Sequence, residues 1–110
     1  MMNSTATRIT ALNDAFRKTA IGGQWLITRG IAALPALEQW AIMEKVRRFD
    51  TFTPDNDPYG EHDFGALEHQ GQRIVWKIDY YAPGLAGHSE DAADPSKTVR
   101  VLTVMLAEEY

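Results

Sequence analysis

Hydrophobic spacing divides the chain into helix-like and strand-like stretches. Ile9, Leu12 and Phe16 recur at i, i+3 and i+7, the interval that places side chains on one face of a helix. The pattern predicts a helix over 5–20, stopped by Gly22-Gly23. Gln24-Trp25-Leu26-Ile27-Thr28 is short, rich in strand formers and closed by Arg29-Gly30, so it predicts a strand over 24–28. Pro35 is a favoured first helical residue, and 36–48 holds no Gly, Pro or turn cluster. A second helix over 35–48 follows, with Ile42, Met43, Val46 and Phe49 as its apolar stripe and Glu38, Glu44, Lys45 and Arg48 largely opposite. Trp40 falls at the stripe's edge and is expected half-buried.

The second half switches to a period of two. Phe64 to Glu68, then Gln70-Gly71-Gln72, then Arg73 to Tyr81 read as a hairpin over 64–81, with Gly71 where a positive φ is needed. Ile74, Trp76, Ile78 and Tyr80 point one way; Arg73, Val75, Lys77, Asp79 and Tyr81 point the other. The strand over 98–107 has Val99, Val101 and Met105 on one face and Leu102, Val104 and Leu106 on the other, so it belongs inside a sheet. Two polar connections remain. The acidic stretch 50–63 is expected to be a loop of local side-chain-to-backbone hydrogen bonds. The Gly-, Asp- and Pro-rich stretch 82–97 is too long for a tight turn, which marks it as mobile or functional. The economical packing is a single domain over 1–110: an α+β, two-layer sandwich, with an antiparallel sheet of about four strands and two helices on one face.

Composition narrows the chemistry. A chain of 110 residues is one domain's worth. The absence of cysteine removes disulfides, thiolate metal sites and a cysteine nucleophile. A formal charge of −4 argues against nucleic acid or anionic lipid as a partner, since both require neutralising Lys and Arg. Basic residues concentrate in the first half and acids at 50–63 and 90–94, an asymmetry able to steer an encounter. No apolar run approaches a membrane span, and the first residues lack a secretory layout, so the expected location is cytoplasmic. The Asn3-Ser4-Thr5 match to a glycosylation acceptor carries no weight without a secretory route.

The densest set of reactive side chains is 56–65, Asn56-Asp57-Pro58-Tyr59-Gly60-Glu61-His62-Asp63-Phe64-Gly65. Counted from Asp55, Asp57 and Gly60 suit a calcium loop, but Tyr59 and Ala66 stand where oxygen ligands are required, so an EF-hand is rejected. A looser metal site of Asp57, Glu61, His62 and Asp63 stays open. So does a structural reading in which Asn56 and Asp57 form turns, while Glu61 and Asp63 accept backbone amides or pair with Arg47 or Arg48. On strand geometry Glu61 and Asp63 share a face and His62 points away. General acid–base catalysis would use His62 with Asp63 or Asp79, but no nucleophile elbow, oxyanion hole or phosphate cradle accompanies it. His69 and His88 are expected to be solvated. As a binding surface, Asp57, Tyr59, Glu61, His62, Asp63 and Tyr81 would form an acidic-aromatic patch for Arg or Lys on a partner, with Trp76 and Tyr80 in the core.

Asn13-Asp14-Ala15-Phe16-Arg17, the segment 56–65, Trp76-Lys77-Ile78-Asp79-Tyr80-Tyr81, Asp91-Ala92-Ala93-Asp94-Pro95 and the run from Arg100 to Tyr110 together resemble a family of small bacterial proteins. That family is catalogued only as a domain of unknown function and is often carried on plasmids and other mobile elements. The resemblance spans nearly the whole chain and departs at Ala92, where a proline is expected. It implies no activity, cofactor or catalytic residue. By context it implies an accessory factor, of a kind that in some cases binds host defence proteins. The expectation is therefore a non-enzymatic protein-binding factor contacting its partner through 55–63 and 82–97, without a cofactor. The alternative is a small hydrolase or metal-dependent enzyme built on His62. If strand 24–28 lies at a sheet edge, it can pair into a homodimer.

Overall fold

A computed structural model describes residues 5–110; Asn3 and Ser4 of the acceptor match lie outside them. The first helix, α1 (Thr5–Thr19), turns Ile9 and Phe16 inward as its spacing requires, but Asn13 and Arg17 are buried with them. Ala20, at φ 62°, takes the left-handed position that ends the helix, its N–H donating to the Phe16 carbonyl at 2.7 Å. Gly22 therefore shapes the turn after the helix and does not itself stop it. Strand β1 (Gly23–Ile27) begins where only glycine fits: a Cβ on Gly23 would stand 2.2 Å from the Arg100 carbonyl oxygen and against the Phe16 ring.

A one-turn helix, α2 (Arg29–Ala32), was not foreshadowed by spacing; it carries Ile31 fully into the core. Pro35 stands just before α3 (Ala36–Arg47), whose Ile42 and Val46 are completely buried. Trp40 is 62% exposed, well beyond the half-buried expectation. It lies two residues, roughly 200° of helix rotation, from Ile42 and so faces away from the sheet.

Strands β2 (Phe64–His69) and β3 (Gln72–Tyr81) form the hairpin, with Gln70 at φ 51° and Gly71 at φ 82° as its left-handed turn. Strand β4 (Val99–Leu106) is central, in the order β1-β4-β3-β2. The β2–β3 and β3–β4 pairs are antiparallel, whereas β1 runs parallel to β4, Gly23 opposite Arg100 and Ile27 opposite Val104. The sheet is thus mixed and mostly antiparallel. Strand direction at an edge follows from the path of the chain between the strands, which hydrophobic period does not encode.

On the helix-covered face, Phe16, Ile31, Ile42, Val46, Ile74, Trp76, Ile78, Leu102 and Val104 form one buried cluster. Gly65 makes room for Trp76, since a Cβ there would lie 2.4 Å from the indole nitrogen. The outer edge of β2 is closed by α3. Lys45 Nζ donates to the Glu68 carbonyl at 3.1 Å and to His69 Nδ1 at 3.0 Å, while His69 Nε2 donates to Glu38 at 2.6 Å. His69 is consequently buried, a correction to the solvated histidine expected beside a hairpin turn. His88 is exposed.

The stretch 82–97 is held by its own hydrogen bonds. Ser89 Oγ bonds to the Lys97 carbonyl at 3.0 Å and the Thr98 hydroxyl at 2.7 Å, Thr98 donates to the Asp91 carbonyl, and Asp94 caps the short turn Pro95–Lys97. Among the described residues, no helix is long and apolar enough to cross a membrane.

Candidate functional site

The acidic stretch folds back along α1 and is bonded to it at successive turns. Thr10 Oγ1 donates to the Gly60 carbonyl, and Asn13 Nδ2 donates to the Glu61 carbonyl at 3.0 Å. The Asp14 carboxylate takes the next contact, 2.9 and 3.2 Å from His62 Nδ1. Arg17 Nη2 then donates to the Phe49 carbonyl at 3.1 Å, where the loop begins. Inside the loop Asn56 bonds across to Thr51 and Thr53, and the Asp57 carboxylate accepts the His62 amide at 3.2 Å.

His62 is the keystone of this arrangement. Its ring lies flat on Phe52, centroids 3.7 Å apart and planes at 4°. Its backbone is left-handed, φ 57°, a conformation that costs a residue with a Cβ about 1–2 kcal/mol and persists because Nδ1 is bonded to Asp14, the ring is stacked on Phe52 and the backbone N–H is bonded to Asp57. The strand-like alternation expected for Glu61, His62 and Asp63 is therefore corrected. With Asp14 on Nδ1, Nε2 is left 3.7 Å from Asp57 Oδ2, outside hydrogen-bond range.

Burial alone would raise the Asp14 carboxyl, but hydrogen bonds from His62 and Arg17 outweigh it and hold the group below its ordinary value. Arg17 is 1% exposed. Its guanidinium pairs with Asp14 at 3.0 Å and packs over the rings of Phe52 and Trp76 at 5.3 and 5.4 Å. Asp14, Arg17, Phe52 and His62 line an open cleft of about 600 Å³ that also includes Lys18, Glu44, Arg47 and Arg48.

Behind the loop runs a second chain of polar contacts. Arg100, buried on the core face of β4, donates through Nε to Asn13 Oδ1 at 2.7 Å and through Nη2 to the Ala92 carbonyl at 2.5 Å. Asn13, fully buried, donates to Tyr80 Oη at 2.8 Å, and Tyr80 donates to Glu61 Oε1 at 3.0 Å. Burial pushes the Tyr80 hydroxyl well above its ordinary value and lowers the Arg100 guanidinium. The Tyr80 ring covers Arg100 at 5.2 Å. Arg100 thus exchanges water for two oxygens and a ring face.

This geometry divides the residues expected at a site. Asp57 is buried on the His62 amide, and Glu61 is engaged by Tyr80. Asp63 is partly buried and raised by that burial and by the nearby charge of Glu61. Arg47 and Arg48 pair with Glu44 at 3.5 and 3.9 Å, not with Glu61 or Asp63. Asp79 is bound to Lys77 at 2.8 Å on the sheet face away from the helices, so it does not act with His62. Tyr81 is only partly exposed and stacks with His88. Tyr59 alone stands out, 81% exposed. Of the carboxylates expected in the acidic-aromatic patch, Asp57 and Glu61 are taken up by the His62 amide and the Tyr80 hydroxyl. Asp57, Glu61, His62 and Asp63 also do not converge: among the described residues no group of three His, Cys, Asp or Glu could hold a metal ion.

Sequence reasoning missed Asn13, Asp14, Arg17, Phe52 and Arg100 as site residues. Two signals were present. Asn13 and Arg17 stand at i+4 and i+8 from Ile9, on the apolar face of α1, and Arg100 shares its parity with Leu102 and Val104. A polar side chain in a core register is a buried-network signal.

A family model described as "Protein of unknown function (DUF3768)" matches residues 27–109. The match takes in the loop, Tyr80 and Arg100 and begins after α1. No curated protein and no solved structure matches the chain.

Proposed function

The chain belongs to the DUF3768 family, and we propose that it is a non-enzymatic protein-binding factor of the cytoplasm whose contact surface is the tip of the acidic loop. The observation that carries the reading is Tyr59. Its ring is exposed on a loop that Thr10, Asn13, Asp14 and Asp57 hold in one conformation. A rigid aromatic ring loses little entropy on binding and is the commonest kind of interface anchor. Beside it runs a groove lined by Ala6, Thr7, Thr10 and Ala11 of α1, and Asp55 is exposed on the same loop. These features suit a partner segment bearing Arg or Lys next to an apolar side chain. The resemblance to proteins of mobile elements supports a host protein as that partner.

The test is affinity capture from host cells, with the captured protein identified and its affinity remeasured using purified components. Tyr59→Ala combined with Asp55→Ala is expected to weaken binding at least about tenfold with an unchanged melting temperature. Undiminished affinity in a folded double variant refutes this surface.

The Asp14–His62 hydrogen bond at the cleft favours one second reading, hydrolysis by water activated at Nε2. The cleft lining contains no Ser, Thr or Cys nucleophile, so water would be the attacking group. This reading requires turnover of an ester, amide or phosphate substrate that is lost in both His62→Gln and Asp14→Asn; absence of turnover across those classes removes it.

A further inference from the structure

The two edges of the sheet are treated differently. At the β2 edge, Lys45 occupies the outward Glu68 carbonyl and α3 lies alongside, the kind of protection that keeps an edge from pairing with another strand. At the β1 edge no such device exists among the described residues. The strand Gly23-Gln24-Trp25-Leu26-Ile27 has no charge, no proline and no bulge. Four of its five residues are exposed, and Ile21, Leu26 and Ile27 are among the large apolar side chains left in solvent.

The ladder fixes which backbone groups are unpaired. Thr28 N–H donates to the Val104 carbonyl at 3.1 Å. By the alternation of a parallel pair, Gln24, Leu26 and Thr28 direct their N–H and C=O groups at β4. Gly23, Trp25 and Ile27 direct theirs outward, where no strand among the described residues meets them.

We propose that β1 is a self-association edge, pairing antiparallel with β1 of a second copy about a two-fold axis near Trp25. The occupant follows from the chemistry of the strand. Antiparallel pairing centred on Trp25 sets Gly23 opposite Ile27 of the other copy, so the outward donors and acceptors of each strand satisfy those of its twin. Residues 23–27 are themselves uncharged, so the paired strands set no like charges of their own face to face, and the Arg47 guanidinium that lies over the Trp25 ring at 5.7 Å is paired with Glu44. Ile21 and Ile27 come under cover at either end. The product is a continuous eight-stranded sheet, since two four-stranded sheets join edge to edge, with both helical layers on the same side. A five-residue strand is only about 17 Å long, so the interface is small and association is concentration-dependent.

The experiment is sedimentation velocity with light scattering from about 1 µM to about 1 mM, alongside residue-resolved amide exchange. The expected result is a shift from the 12.3 kDa monomer to twice that mass, with the Trp25 and Ile27 amides slowing as the dimer forms. Ile27→Pro removes an outward N–H and no bond to β4, and Leu26→Lys adds an edge charge. Both are expected to leave a folded monomer by circular dichroism and to abolish the shift. A wild type that stays monomeric to the highest concentration overturns the proposal. So does a dimer that persists in both folded variants, or one that leaves the Trp25 and Ile27 amides unprotected. Should Ile27→Pro unfold, Leu26→Lys with the amide data decides alone. Because the readout is self-association, it stands independently of the Tyr59 surface.

Discussion

Removing the Asn13 carboxamide tests whether the buried polar chain behind the loop holds the domain together. In Asn13→Ala the Arg100 Nε donor, bonded at 2.7 Å, loses its acceptor, Tyr80 Oη loses a donor at 2.8 Å, and the Glu61 carbonyl loses one at 3.0 Å. A hydrogen bond to a charged group contributes about 1.5–3 kcal/mol and a neutral one about 1 kcal/mol, with buried partners left unsatisfied at the upper end. Asn13 is 0% exposed, so water has no ready route to replace it. The three terms together give a loss of roughly 3–5 kcal/mol, against a total stability of about 5–15 kcal/mol for a domain of this kind. Urea unfolding, followed by the fluorescence of the three tryptophans, reads the loss directly provided the denaturant slope is unchanged. A double-mutant cycle with Tyr80→Phe is expected to show non-additivity of at least about 0.5 kcal/mol, because both changes break the same chain. A loss below about 1 kcal/mol at constant slope, or strict additivity in the cycle, would show that the chain carries no such energy.

Two pH-linked predictions concern the loop carboxylates. Asp63 is raised in the folded state by burial and by Glu61, so its ionised form opposes folding above the unfolded value of 3.8. Asp63→Asn is expected to raise the melting temperature at pH 7, with the gain shrinking below about pH 4; an unchanged or lower melting temperature at pH 7 contradicts this. Asp14 is lowered, so its contribution is present above its ordinary 3.8 and lost as pH falls through the lower folded value. Asp14→Asn should cost about 1–2 kcal/mol at neutral pH, discounted for partial solvent screening, and should flatten the acid limb of a stability–pH curve. A variant whose acid limb parallels the wild type argues against the pairing.

Much of the fold was legible because period and burial coincide. Ile9 and Phe16, Ile42 and Val46, Ile74, Trp76 and Ile78, and Leu102 and Val104 all face the core as their spacing implies. The single-turn α2 escaped because one helical turn is shorter than the period that reveals a helix. The parallel sense of β1 escaped because local pattern holds no direction. The site was less legible, since it joins α1 to a loop far along the chain. His62 was visible as a reactive residue, but its partner Asp14 lies 48 positions away. A short-range rule therefore assigned it to neighbouring carboxylates that the fold turns elsewhere. The carboxylates of 56–65 looked like a surface because they are charged, whereas the fold uses two of them as acceptors for a backbone amide and a tyrosine hydroxyl.

The central position of β4 also sets the order in which the molecule can be assembled. On one side it pairs with β1, from the start of the chain; on the other it pairs with the β2–β3 hairpin. Without it those two units share no hydrogen bonds within the sheet. The Asn13–Arg100 contact spans 87 positions, so the loop it closes takes in most of the 110 residues, an entropic burden that slows folding. On the ribosome, α1, α3 and the hairpin emerge with their apolar faces uncovered, and they must wait for β4 to leave the exit tunnel before a common core exists. The interval before β4 arrives is when the nascent chain is most exposed to wrong pairing, and the unguarded strand β1 is already waiting in it.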